Sequence, residues 1–156
     1  MSKTSYGTWL TIYSEAIAEI LSRAGYDWIT IDLEHTAISL TQAEKLIRVI
    51  DLCVVKTIVR VSSIDSAEIK RILDFGAKGI IIPMINNVED VKKAISACFY
   101  PPSGSRGMGL YRAQGYGDKD KKEEYINDDA EQIELYLNIE SVSYTHLRAH
   151  ETLRYL

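Results

Sequence analysis

Over the first hundred residues, short runs of β-branched and aromatic residues alternate with segments whose apolar side chains recur at helical spacing. Residues 7–12 read as a β-rich run, and Ser14 is placed to cap a helix over 15–23 in which Ala16, Ile17, Ile20 and Leu21 share one face. Ala24-Gly25 supplies a helix stop, and 27–32 is rich in strand formers. The cycle repeats with Thr41 capping a helix to about residue 52, a strand over 56–61, a helix over 65–75 ended by Gly76, and a strand over 79–84. A helix over 88–97 then leads into Tyr100-Pro101-Pro102-Ser103-Gly104-Ser105-Arg106-Gly107, a loop no helix could tolerate. Residues 118–129 are charged enough for a short solvated helix, and 133–140 reads as a fifth strand.

Strict alternation of strand and helix predicts a parallel sheet covered by helices, either an open doubly wound sheet or a (β/α)₈ barrel. Periodicity does not choose between them. The polar residues do carry a hint, because Asp32, Glu34, His35, Arg60 and Glu140 all fall at the carboxyl ends of predicted strands. That end carries the active site in a barrel, where residues distant in sequence converge. An open sheet would gather its ligands mainly at one switch point.

Composition narrows the function classes. With 46% hydrophobic residues, 26% charged residues and a net charge of −4 over 156 residues, the chain has no basic stripe that would mark a nucleic-acid partner. Its longest apolar run, 80–85, is interrupted by Pro83 and is too short to span a bilayer, and the first residues lack a signal-peptide core, so a cytoplasmic setting is expected. Cys53 and Cys98 have neither zinc-site spacing nor disulfide density and read as small buried hydrophobes.

Several residues could carry chemistry. His35, closing the second strand beside Asp32 and Glu34, is a candidate general base whose tautomer a carboxylate could fix, or a packing histidine. Arg60 could fork a carboxylate or enolate oxygen, or simply pair with Asp32 or Glu34. Glu140 could be one ligand of a hard divalent cation, or a surface glutamate. Gly104, Gly107 and Gly109 around Arg106 could wrap an anion with backbone N–H groups, with a tight loop as the plain alternative.

Taken in order, Gly25-Tyr26-Asp27-Trp28, Ile31-Asp32-Leu33-Glu34-His35, Val59-Arg60, Ile69-Lys70-Arg71-Ile72-Leu73-Asp74, Ile82-Pro83-Met84, the Pro101-Pro102 loop and Asn138-Ile139-Glu140 resemble a known family. It is the HpcH/HpaI family of class II pyruvate aldolases, named for 4-hydroxy-2-oxoheptanedioate aldolase, and the likeness runs from about Tyr6 to Glu140. The resemblance implies an α/β (β/α)₈ TIM barrel that cleaves 4-hydroxy-2-oxo acids to pyruvate and an aldehyde. It also implies a divalent metal (Mg²⁺, Mn²⁺ or Co²⁺) acting as a Lewis acid on the 2-oxo acid. Carried over by position, His35 is the base, Asp32 its neighbour, Arg60 the catalytic residue that also binds the pyruvyl oxygens, Asn138 a substrate-binding amide and Glu140 a metal ligand. Asp74 matches a carboxylate paired with the histidine, but it precedes Gly76 at the opposite end of its own barrel, so a neighbouring subunit of a homo-oligomer would supply it.

Two departures stand out. The family usually has Gln where Asn138 lies, and no Gly-Pro-x-Asp-Leu-Ser segment with the second metal ligand follows Glu140. Residues 141–156 read instead as a non-family tail of the kind a translated adapter or frameshift produces, with His146 and His150 one helical turn apart inside it. About five of the eight βα units of a barrel of about 250 residues are present. These 156 residues alone are accordingly expected to release no pyruvate with added manganese. The remaining alternatives are a non-catalytic barrel fragment serving as an interaction module, and another barrel enzyme handling enolates or phosphates.

Overall fold

The computed structural model describes residues 4–118 and 132–140. Its order is β1 (Gly7–Leu10), α1 (Glu15–Arg23), β2 (Trp28–Asp32), α2 (Leu40–Leu52), β3 (Lys56–Arg60), α3 (Ser66–Phe75), β4 (Gly79–Ile82), α4 (Val88–Cys98), a 3-10 turn (Arg112–Gly117) and β5 (Glu134–Leu137). The predicted helix over 118–129 and the tail over 141–156 lie outside the described residues, apart from Asp118.

The helices start where short polar side chains satisfy free backbone N–H groups. Ser14, Asp65 and Asn87 accept from the backbone N–H of Ile17, Ala67 and Asp90. The cap of α2 is Ser39 rather than Thr41: Ser39 and Gln42 close a reciprocal capping box, and Thr41 lies inside the first turn. Gly76, at φ 109°, ends α3 in the left-handed conformation that glycine adopts without strain. β4 stops at Ile82, since Pro83 has no N–H to donate and Met84 turns to φ 55°.

All five strands are parallel, in the spatial order β1-β2-β3-β4-β5. This resolves the choice the sequence left open. A doubly wound sheet reverses its strand order at a switch point, whereas sequential neighbours throughout are the start of a barrel. Right-handed crossovers keep the helices on one side of such a sheet, and α1, α2, α3 and α4 do pack each against the next.

Strand alternation divides the sheet into two faces. Leu10, Ile29, Ile31, Val59, Ile80 and Ile82 join Leu46, Ile47, Ile50, Ile69, Ile72 and Leu73 from the helices in one core. The opposite, inner face carries Trp9, Thr30, Asp32, Ile58, Arg60, Ile81 and Tyr136. It is therefore the face on which polar chemistry collects.

On α1 the expected apolar face packs only through Leu21, which is partly buried against the core. Ala18 and Ser22 are buried, whereas Ile17 is 39% and Ile20 66% exposed. α1 flanks the edge strand and packs on α2, and the Ser22 hydroxyl donates to the Ala18 carbonyl at 2.7 Å. The isoleucine stripe that periodicity picked out points away from that contact. Cys98 is fully buried, as expected, and burial pushes its thiol up to about 12; Cys53 is only half-buried. No described helix is long and apolar enough to cross a membrane.

Candidate active site

The ends of β2 and β3 place Asp32 opposite Arg60 in direct register. Arg60 donates from Nε to Asp32 Oδ1 at 2.9 Å and from Nη2 to Oδ2 at 2.7 Å, a bidentate fork between groups 28 residues apart in sequence. The chain turns immediately after Asp32, so the Glu34 N–H donates back to Asp32 Oδ1 at 3.0 Å and the His35 N–H points to the same oxygen at 3.4 Å. Burial pushes the Asp32 carboxyl up, but the bonds from Arg60, Glu34 and His35 outweigh it and hold the group below the ordinary carboxylate range.

Glu34 adds a second carboxylate, with Oε2 3.2 Å from Arg60 Nη1. Trp9, reaching over from β1, covers the flat face of the guanidinium at 4.7 Å from ring centroid to Cζ. The Asp32 hydrogen bond raises the Arg60 pKa, burial opposes it, and the charges of Asp32, Glu34 and Glu140 raise it further. The Glu140 carboxylate thus acts on the same guanidinium from beyond β5. Its Oε1 accepts from Asn138 Nδ2 at 3.2 Å, while the Asn138 backbone is tied to β4 through Ile82 and Ile85.

The His35 side chain is 70% exposed at the rim, with Nε2 3.7 Å from Glu34 Oε1. Asp32, His35, Arg60, Asn138 and Glu140 consequently gather at the carboxyl ends of β2, β3 and β5. Asp74 does not join them. It ends α3 at the opposite end of the sheet, where Oδ1 accepts from Arg106 Nη2 at 2.7 Å and from Gln114 Nε2 at 3.2 Å.

In the loop that carries this arginine, the backbone N–H groups of Gly104, Ser105 and Arg106 are taken by the carbonyls of Tyr100, Ser96 and Phe99, which favours the tight-loop reading of its glycines. The Arg106 side chain is fully buried against Asp74 and over the Tyr100 ring, 4.8 Å from its centroid, so the loop braces α3 instead of presenting a cation. Gly104 is there for clearance: a Cβ would sit 2.3 Å from the Phe99 carbonyl oxygen.

The donor chemistry of the rim suits a hard divalent cation in part. Glu140 offers a carboxylate on the inner face, the donor type such ions use together with water and substrate oxygens. Among the described residues no cluster of three or more His, Cys, Asp or Glu side chains has metal-binding geometry. One carboxylate is supplied here, and a complete cage is not.

One participant escaped sequence reasoning, and another was expected without its geometry. Trp9 can be placed over Arg60 only once the β1–β2 register, Trp9 against Thr30, is known. Glu34 stood in view as a possible ion-pair partner, yet its distances to both Arg60 and His35 depend on the turn that Asp32 organises.

Comparison with known proteins agrees with this fold. A 4-hydroxy-2-oxovalerate aldolase of Novosphingobium aromaticivorans is 40% identical over 114 residues, covering 71% of this chain and 43% of its own length. A hydroxypyruvate/pyruvate aldolase of Sagittula stellata is 37% identical over 124 residues, 79% of this chain and 49% of that protein. The crystal structure of an HpcH/HpaI aldolase from Desulfitobacterium hafniense superposes with a TM-score of 0.83 at 29% identity, covering 92% of this chain and 56% of that one. The chain spans about half the length of the curated relatives it matches. The family model described as HpcH/HpaI aldolase/citrate lyase matches residues 5–144, so the five-stranded parallel sheet is that of an incomplete TIM barrel, and the chain belongs to the HpcH/HpaI aldolase/citrate lyase family.

Proposed function

We propose that this site serves a class II aldolase that cleaves 4-hydroxy-2-oxo acids to pyruvate and an aldehyde, in the cytoplasm, as part of a homo-oligomer. The observation that carries the reading is the bidentate Asp32–Arg60 pair at the strand ends, with Glu34 and Glu140 acting on the same guanidinium. Three carboxylates around one guanidinium leave a net negative rim, which a divalent cation would offset when bound. The remaining N–H groups of Arg60 suit a small planar anion such as the carboxylate of a 2-oxo acid. Aldolase relatives support the reaction class.

Asp32 fixes the angle of the guanidinium, Arg60 binds the pyruvyl oxygens, and the Asn138 amide holds Glu140 while offering hydrogen bonds to substrate. His35, exposed at the rim beside Glu34, removes the proton of the 4-hydroxyl group as a general base. Glu140 is the protein ligand for a divalent cation of the magnesium, manganese or cobalt type, which supplies Lewis-acid stabilisation of enolate charge when bound. Asp74 lies too far round the fold to meet His35 of its own chain, so its catalytic role requires delivery to a neighbouring subunit's rim, which is the argument for the oligomer.

The test is calorimetric titration of the chain with oxalate, a planar mimic of pyruvate enolate, in the presence of MgCl₂. Saturable binding is expected, lost in Arg60→Ala and weakened in Glu140→Gln. Binding that survives both substitutions unchanged would overturn the reading.

A further inference from the structure

The regular pairing of β4 with β5 ends at Ile82 against Leu137, one residue before the Asn138–Glu140 strand end that carries part of the candidate site. There the Asn138 N–H donates to the Ile82 carbonyl at 2.9 Å, and the Asn138 carbonyl accepts from the Ile85 N–H at 3.0 Å. An evenly spaced parallel ladder would take that second donor from Met84. One extra residue therefore stands between the two bonds, which is the arrangement of a β-bulge, a device that re-aims side chains at strand ends. The extra residue is strained. Met84 has φ 55°, in the left-handed region that glycine fills without cost and other residues rarely adopt. Among the described residues, two further non-glycine positions have positive φ, and both lie away from these strand ends: Val54 follows the cap of α2, and Tyr116 is in the 3-10 turn.

Packing does not hold Met84 in this conformation, since the residue is 53% exposed. Asn86 does, through Nδ2, which donates to the Met84 carbonyl at 2.7 Å. Asn86 is itself tied to the start of α4: its N–H donates to Asp90 Oδ2 at 3.1 Å, and the Asp90 N–H donates to Oδ1 of the Asn87 cap at 2.9 Å. Braced in this way, the kink grips the Asn138 backbone from both sides, and Asn138 Nδ2 donates in turn to Glu140 Oε1 at 3.2 Å.

We propose that Met84 and Asn86 are positioning residues for Glu140: the left-handed kink they form after β4 sets where the Asn138–Glu140 end of β5 stands, and with it the carboxylate that would receive a divalent cation. This rests on the aldolase reading given above. It gives β4, which ends without a charged side chain, a part in the site through its backbone. The conformation of Met84 carries the role, and its thioether does not. Glycine should therefore replace Met84 without loss, whereas a β-branched residue, for which positive φ is a genuine outlier, should not.

The full chain is compared with Met84→Gly, Met84→Val and Asn86→Ala by amide hydrogen exchange and by calorimetric titration with MnCl₂ alone. Met84→Gly is expected to keep the parent's protection at the Ile85 and Asn138 amides and the parent's Mn²⁺ affinity. Met84→Val is expected to lose roughly tenfold in protection at those two amides and roughly tenfold in Mn²⁺ affinity. Asn86→Ala, which removes the clamp and leaves Met84 in place, is expected to lose both in the same direction. The Leu33 amide, bonded to the Arg60 carbonyl at 2.9 Å, is expected to stay protected throughout, whereas a merely structural role would lower all three amides together. Unchanged protection in Met84→Val, an equal loss at Leu33, or lost protection with unchanged Mn²⁺ affinity overturns the assignment and leaves the aldolase reading standing. No heat from Mn²⁺ in the parent protein overturns the metal role of Glu140 and this assignment with it. Should Met84→Val not fold, Asn86→Ala decides by the same criteria.

Discussion

Among the described residues, two arginine–aspartate pairs of the same length each carry an aromatic ring against the guanidinium, and their surroundings differ. Arg60–Asp32 and Arg106–Asp74 both close at 2.7 Å, over Trp9 and Tyr100 respectively. Around Arg60 the further neighbours are charged, Glu34 at 3.2 Å and Glu140 beyond it, with exposed His35 alongside. Around Asp74 the further donor is neutral Gln114, itself fully buried and bonded to the Tyr100 hydroxyl at 3.2 Å. The ion pair alone does not make a site. Surplus negative charge and access from the inner face distinguish the strand-end pair, whereas neutral closure makes the other a brace between α3 and the loop after α4.

The sharpest way to break this contrast is to remove each arginine in turn. Arg106→Leu leaves the Asp74 carboxylate without its buried cation and is expected to cost about 3–5 kcal/mol in urea unfolding. Arg60→Leu is expected to cost markedly less, because Asp32 keeps the backbone donors of Glu34 and His35, and to abolish oxalate binding. Equal losses of stability from the two substitutions would show that the strand-end pair is also a brace.

How much of this was legible beforehand follows from the range of each interaction. Asp32 and Arg60 were both visible as polar endings of apolar strands, and one βα unit brings such endings side by side, so the heart of the site could be read from periodicity. Trp9 and Arg106 could not be read that way. Trp9 needs a register, and Arg106 needs the path of a loop that carries it 32 residues along the chain from its partner, information no local pattern holds. Ile17 and Ile20 misled for a related reason: hydrophobic spacing marks a stripe, but which stripe packs depends on the neighbours, and on α1 the buried residues are Ala18 and Ser22.

Protonation sharpens the contrast from the acid side. The Asp32 carboxyl is held below its unfolded value, so its contribution to stability is complete above the ordinary aspartate range and is lost as pH falls through the lowered value. Asp32→Asn should therefore flatten the stability–pH curve below about pH 4 and leave its shape near neutrality unchanged. Urea midpoints taken between pH 2 and 7 for both proteins check this. An unchanged acid limb would mean that Arg60 does not hold the carboxylate in solution.

A smaller effect separates the two rings. Tyr100→Phe keeps the surface under Arg106 but removes the hydroxyl that meets Gln114, and about 1 kcal/mol of stability should go with it. Oxalate binding should not change, since the ring serves the brace alone. Reduced oxalate affinity at a temperature where the variant is fully folded would couple the two ends of the sheet and dissolve the distinction.

The smallest structural effect belongs to the residue with the largest expected chemical one. His35 is 70% exposed in its side chain, and its described contact, Glu34 Oε1 at 3.7 Å, is a surface-type pair of little energetic weight. His35→Gln should therefore change unfolding free energy by no more than about 0.5 kcal/mol. The same substitution should leave oxalate affinity near the parent value, because Arg60 and not His35 forks the anion. That outcome supports the general-base role proposed for His35 over a packing role. A large loss of stability in His35→Gln would instead make it a packing histidine.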